Sequence, residues 1–233
     1  MDTTQVTTQS DNTALNALKE RINEVQDNIN AVDNFQLPKV KLGSDGFEIT
    51  DGEDTLDDIE GTLVHLRKVN IYYEKPYQPG NEEPPTCFSP DGVTPDHTIA
   101  LPVNPTCKGC PKSEYGTSPL GTGKACRNMR LVYLLMTDEA IIPRVLTVPP
   151  TSLRAVDKYL MDLTERGLNF RKVKTKIHAY KEDKKATYCK LKFSMAEKLS
   201  KERSFEVETI RTQLLPVLNG HSMDAAESGS EAF

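Results

Sequence analysis

The sequence predicts a mainly β domain with some α content, a five-stranded barrel carrying a cysteine-rich insertion. Three observations point there. Five segments carry the two-residue alternation or continuous apolar run of strands. A single 3.6-period helix lies between the third and fourth of them. Four of the five cysteines, Cys87, Cys107, Cys110 and Cys126, fall in one apolar-poor stretch between the first and second.

The first strand is Gly61 to Tyr73, rich in Leu, Val, Ile and Tyr. The insertion follows, over 76–127. Asn128 to Met136, with its LVYLL centre, is the second strand, and Ala140 to Val148 the third. Pro143 marks an edge or a bulge, because proline has no N–H for the ladder. Thr151 or Ser152 caps a helix running to about Arg166, where Gly167 closes it. Arg171 to Lys181 is the fourth strand, with Val173, Thr175, Ile177 and Ala179 on one side. Glu182 to Lys185 turns into the fifth, Ala186 to Phe193, whose Cys189, Leu191 and Phe193 face inward. A helix over 195–217, with a break near Ser204, completes the domain, bounded at 36–218.

Strand, insertion, strand, strand, helix, strand, strand is the order of an OB-fold barrel. OB-folds bind oligonucleotides on one sheet face between the loops after strands 1 and 4.

Outside this core, residues 1–35 form a polar segment, with 1–12 disordered. Leu15, Leu18, Ile22, Val25 and Ile29 make one apolar helix face. Docking on the domain and a short coiled-coil seam both satisfy that stripe. Pro38 to Leu42 reads as a short strand, Gly43 to Gly46 as a turn, and Asp51 to Glu60 as an acidic solvated loop. Residues 219–233 are Gly/Ser-rich, acidic and predicted disordered.

Composition fits a modest core with polar attachments: 37% apolar, 6% aromatic, no Trp and a mean hydropathy of −0.52. No run approaches the roughly 18–20 apolar residues of a membrane span. Met1 to Asp11 lacks a basic–apolar export pattern, so a cytoplasmic location is expected.

The net charge of −5 is unevenly distributed. Residues 1–60 hold 14 acidic and 4 basic residues, and 219–233 hold 3 acidic and none basic. The stretch between therefore carries +8, and Arg171 to Lys192 alone has nine basic residues against two acidic. A basic patch between acidic ends suggests a nucleic-acid partner. A merely solvated charged surface is the competing reading.

A binder of single strands needs cations for phosphates and flat side chains for bases. Lys172, Lys174, Lys176, Lys190 and Lys192 supply the first at alternate strand positions, with Lys184 and Lys185 in the turn. Tyr180 and Tyr188 supply rings, joined by Tyr73 at the end of the first strand; Tyr72 and Tyr133 divide between contact and core.

The cysteine spacing is C-x19-C-x2-C-x15-C. A C-x2-C turn brings two thiolates to one ion, and two flanking thiolates complete a tetrahedral Zn2+ site. One structural zinc per chain is expected, with Cys87, Cys107, Cys110 and Cys126 as ligands and His97 as the one alternative nearby. Disulfides or a redox pair are the competing readings. Cys189 reads as a core thiol.

These features resemble bacteriophage single-stranded DNA-binding proteins over roughly 60–218 and the tail. The resemblance rests on the cysteine insertion, the strand order and an acidic tail ending in Phe233. The stretch Leu146 to Leu153 with its following helix is also similar to uncharacterised phage proteins bearing such cysteines. Some proteins of this group carry a metal within an OB-fold, and some recruit replication partners through a tail ending in Phe. The resemblance thus implies single-stranded DNA binding in phage replication or recombination, in the infected bacterial cell. It also implies partner capture by Glu227, Glu231 and Phe233. Homo-oligomerisation stays open.

No catalytic motif is present: P-loop, G-x-G-x-x-G, H-E-x-x-H and G-x-S-x-G are all missing. His97-Thr98-Ile99 lacks the glutamate of a zinc deaminase. A non-enzymatic role is expected, with a zinc-containing adaptor for a polymerase or host factor as the alternative.

Overall fold

The computed structural model describes residues 4–33, 35–49, 55–75, 84–119, 121–183 and 185–220. The chain is a mixed α+β protein built on one curled sheet. Its elements are α1 (Thr4–Asn30), β1 (Lys39–Leu42), β2 (Phe47–Glu48), β3 (Asp58–Tyr72), β4 (Cys87–Ser89) and β5 (Arg127–Leu135). Then come β6 (Arg144–Val148), α2 (Leu153–Glu165), β7 (Val173–Tyr180), β8 (Lys190–Lys198) and α3 (Lys201–Gly220). The sheet runs β2-β1-β6-β5-β3-β7-β8, and β4 pairs with β3 off this path.

The long strand β3 organises the curl. Its first part, Asp58 to Gly61, pairs antiparallel with β7. From Thr62 to Ile71 it pairs with β5, through a register shift between Leu63 and His65. Such an irregularity increases the local twist and bends the strand. Gly61 stands at the crossover: a Cβ there would lie 2.6 Å from the Leu135 carbonyl oxygen. Only glycine allows this approach. Gly61→Ala is therefore expected to lower unfolding stability by about 1–3 kcal/mol, read from the midpoint of urea denaturation.

Two cores lie on opposite faces of the sheet. The inner one gathers Leu63, Val132, Leu134, Leu146 and Ile177 with Val156, Tyr159 and Leu163 of α2. The outer one packs Leu18, Ile22 and Ile29 of α1 and Val207, Ile210, Leu214 and Leu218 of α3 onto Val64, Leu131, Tyr133 and Val145. Strand β5 is thus buried on both sides, which explains why its centre is continuously apolar rather than alternating. The α1 stripe is spent on the domain, so docking is its role. Tyr133 is fully buried and Tyr72 is 7% exposed.

All five expected strands are present, with corrected ends. β6 begins at Arg144 because Pro143 cannot donate to the ladder. Residues 186–189 form a loop, and β8 runs on to Lys198, opposite Val173. The last helix starts at Lys201 and passes through Ser204 unbroken, with the Ser200 hydroxyl accepting from the Arg203 N–H at 3.0 Å. Ser152 does not cap α2 through its side chain; its hydroxyl accepts from the Leu191 N–H at 3.0 Å. Gly167, at φ 66°, ends that helix as expected. α1 starts at Thr4, inside the stretch expected to be disordered. No proline or glycine interrupts the chain before Leu15, so the docked half can extend its own ladder. Asp58 to Glu60 belong to β3, not to an acidic loop. Among the described residues no helix is long and apolar enough to cross a membrane.

Candidate nucleic-acid interface and cysteine centre

The sheet face beside β7 and β8 takes its character from strict alternation. Val173, Thr175, Ile177 and Ala179 are buried, while Lys174, Lys176 and His178 are half-buried and Tyr180 is exposed. Across the ladder, Lys192 stands opposite His178 and Lys190 opposite Tyr180. Register therefore places Lys174, Lys176, Tyr180, Lys190 and Lys192 on one surface. Lys172 sits just before it, exposed in a short 3-10 turn over Phe170–Lys172. Lys185 is exposed and Tyr188 half-buried in the β7–β8 loop, where Glu182, Asp183 and residues 185–188 line a shallow surface pocket. Lys184 lies outside the described residues.

Carboxylates pair with the lysines of this face, and all but Glu182 come from outside Arg171 to Lys192. Lys176 pairs with Asp58 at 3.2 Å and Lys174 with Glu197 at 3.7 Å. Lys190 pairs with Glu182 at 2.6 Å, and Lys181 with Asp45 at 2.8 Å. Glu60 stands opposite Lys176. The patch is a mixed lattice, less positive than the count over Arg171 to Lys192 suggested. Exposed pairs of this kind are worth roughly 0–1 kcal/mol, so an incoming phosphate can replace the carboxylate at little cost. Lys172, Lys185 and Lys192 have no acidic partner among the described residues.

His178 is a member that sequence reasoning did not assign. Its Nδ1 lies 2.9 Å from the Asp58 carboxylate, and its ring stacks on Tyr180 with centroids 6.1 Å apart and planes within 6°. Two residues apart on a strand, the rings share a face. Burial would raise the Asp58 carboxyl, but hydrogen bonds from Lys176 and His178 hold it below its ordinary value. Lys190 is pushed up, chiefly by its hydrogen bond to Glu182 and also by the nearby Tyr188 and Tyr180.

Tyr73 does not join this surface. It packs half-buried against the outer core. The insertion also stands apart, because β4 pairs at the Asn70–Tyr72 end of β3 and β7 at the Asp58–Gly61 end. Those ends are roughly 45 Å apart along an extended 15-residue strand, less with curl. The pairing thus distributes the loops, the charge and the rings along β3.

At that far end lie Cys87, Cys107, Cys110 and Cys126. Cys87 of β4 stands opposite Tyr72 of β3, and Cys126 immediately precedes β5 on the other side of the same strand. Cys107 and Cys110 close over this end: the Cys107 N–H donates to the Val93 carbonyl at 2.8 Å, and the Cys126 N–H to the Lys112 carbonyl at 2.8 Å. Gly109, at φ 73°, supplies the left-handed residue of the Cys107–Cys110 turn. All four cysteines line one small pocket. Burial pushes the Cys126 thiol up to about 11 and also raises Cys87, and in each case the neighbouring cysteines add to the effect.

No cysteine of the chain is in a disulfide. Among the described residues no group of three or more His, Cys, Asp or Glu is drawn into a metal-holding arrangement. His97 points away: its side chain is 91% exposed and lies 3.5 Å from Asp96. Cys189 is buried in the inner core and donates to the Ser44 carbonyl at 3.2 Å.

Asp91 anchors the approach to the insertion. It accepts hydrogen bonds from the backbone N–H groups of Val93 and Thr94 and from the Ser89 and Thr94 hydroxyls. Desolvation would raise its carboxyl, but these bonds outweigh it and bring it down to about 2 from 3.8. A lowered carboxyl stabilises the fold above the unfolded value and loses that contribution as pH falls towards the folded one. The insertion should therefore loosen between about pH 4 and pH 2, followed by amide exchange at Val93 and Thr94. Asp91→Ala should show the same loosening already at pH 7.

The tail residues Glu227, Glu231 and Phe233 lie outside the described residues. Comparison with protein-family models, curated proteins and solved structures finds no match to this chain.

Proposed function

We propose that this protein binds single-stranded DNA with little sequence preference, through the outer face of β7 and β8. The observation that carries the reading is the alternating lattice of Lys174, Lys176, Lys190 and Lys192 around the His178–Tyr180 stack, on an open sheet surface. Phosphates exchange with the carboxylates of the surface pairs, and bases stack on the rings.

The proposed architecture is an OB-fold with β3, β5, β6, β7 and β8 as its five strands. Four antiparallel pairings, β3–β5, β5–β6, β3–β7 and β7–β8, support it, as does α2 between β6 and β7. The ligand face of an OB-fold lies on its second and third strands, here β5 and β6. α1 and α3 cover the outward side of those strands. That cover favours β7 and β8 as the contact surface.

The four cysteines are proposed to hold one structural zinc. An all-sulfur donor set around one pocket suits that ion, which favours four thiolate ligands and needs no redox chemistry. Its contribution is to staple the insertion; the chain's own residues bind the nucleic acid, and no catalytic step is assigned. The proposed setting is replication or recombination of a bacteriophage in the bacterial cytoplasm, with the acidic tail ending in Phe233 as the recruiter of partner proteins.

Lysine acetylation footprinting tests the surface. Oligo-dT is expected to slow modification of Lys172, Lys174, Lys176, Lys185, Lys190 and Lys192 but not of Lys19 or Lys158. Uniform protection, or none, would count against β7 and β8. A second reading, a protein adaptor, draws on the exposed apolar Val93 and Leu101 of the insertion. It predicts partner binding that survives charge reversal at Lys172, Lys174 and Lys176.

A further inference from the structure

The insertion carries an aromatic ring that the barrel does not use. Tyr115 is 81% exposed, although it lies on a segment with dense internal bonding. The Thr117 hydroxyl donates to the Glu114 and Lys112 carbonyls at 2.7 and 3.2 Å and accepts from the Ala125 N–H at 3.0 Å. The Gly116 N–H donates to the Gly123 carbonyl at 2.7 Å, closing the loop across its base. Gly116 and Gly123 both sit at positive φ, 85° and 90°, and nothing lies within 4 Å of where their side chains would be. The turn is thus pinned by hydrogen bonds while its outer surface stands clear.

Lys124 projects from the returning arm of this loop. Its Nζ lies 5.1 Å from the Tyr115 ring centroid. A cation over one face of an aromatic ring is a favourable contact, and it fixes the ring's orientation. The high exposure of the tyrosine leaves the opposite face open. Burying a ring against the domain would gain apolar contact, and this one is held away from it beside a cation. A flat ring with one face free and a cation held against the other offers an unpaired nucleotide both a stacking surface and a charge for its phosphate.

We infer that Tyr115 and Lys124 form a second nucleic-acid subsite: the ring stacks on a base of a single strand and the ammonium pairs with an adjoining phosphate. The inference rests on the single-strand reading above and extends it to the insertion, at the other end of β3 from the β7–β8 loop. The cysteine centre then acquires a purpose, since holding Cys110 and Cys126 in place also holds the two ends of the Tyr115 loop.

The test is fluorescence anisotropy of the full chain with labelled oligo-dT, and with an abasic oligomer of equal length. Tyr115→Ala should weaken oligo-dT binding roughly tenfold, leave abasic binding within twofold, and leave thermal stability and metal content unchanged. Tyr115→Phe should bind as the parent does. If the parent binds oligo-dT and Tyr115→Ala binds it equally well, the subsite is wrong while the β7–β8 reading stands. Equal losses on oligo-dT and abasic strands would also overturn it, because stacking requires a base. A parent that binds neither strand would remove the single-strand reading, and the subsite with it.

Discussion

Replacing Lys174, Lys176 and Lys192 together by Glu is expected to lower affinity for oligo-dT by roughly two orders of magnitude at low salt. The three side chains project from one face of β7 and β8, where alternation leaves them no inward course. Two are paired with Glu197 and Asp58, and Lys192 has no acidic partner among the described residues. Reversal does more than delete phosphate partners: it leaves those carboxylates beside new ones, so the face repels the strand. Each lost phosphate contact should also flatten the log–log salt dependence by about 0.7, giving a change of about 2 for the triple variant. The positions are exposed or half-buried, so the fold should survive, as checked by an unchanged urea midpoint. A variant that stays folded and binds as the parent does would exclude β7 and β8 as the contact surface.

Removing metal is expected to have the second large effect, confined to one part of the molecule. Insertion residues 90–126 contribute few side chains to either core beyond the cysteine pocket. Structural zinc sites hold comparable segments with apparent free energies of about 10–16 kcal/mol in isolated peptides. Elemental analysis should find one zinc per chain. A chelator should expose the loop around Tyr115 to protease while the strand signal in circular dichroism persists, because both cores are built elsewhere. Cys110→Ser should act like the chelator. An intact insertion in verified metal-free protein would contradict the zinc assignment.

The strands were legible wherever one face is buried and the other wet. Val173 to Tyr180 and Cys189 to Phe193 alternate cleanly, and the register follows. The end of β8 was not, because Met195, Ala196, Glu197 and Lys198 are strong helix formers by intrinsic preference. Pairing with Val173 to Thr175 overrides that preference. β2 and β4 have two and three residues, too short for any period to register. The basic patch was legible as a list of lysines but not as a potential. Asp45, Asp58 and Glu197 come from other segments and reach the surface only through the fold. The four cysteines were legible as a candidate set by their spacing in an apolar-poor stretch, and they line one pocket. Tyr115 carried a faint signal that went unread, an aromatic among Gly, Ser and Thr where no core exists to receive it.

Single strands are proposed to bind this chain by phosphate pairing and base stacking. The most direct measurement is anisotropy of labelled oligo-dT and of a duplex of equal length, each titrated across a salt series. The single strand is expected to bind more tightly, with a log–log slope of about −2 to −4 for three to five neutralised phosphates. Absence of binding at low salt, or preference for the duplex, would contradict it.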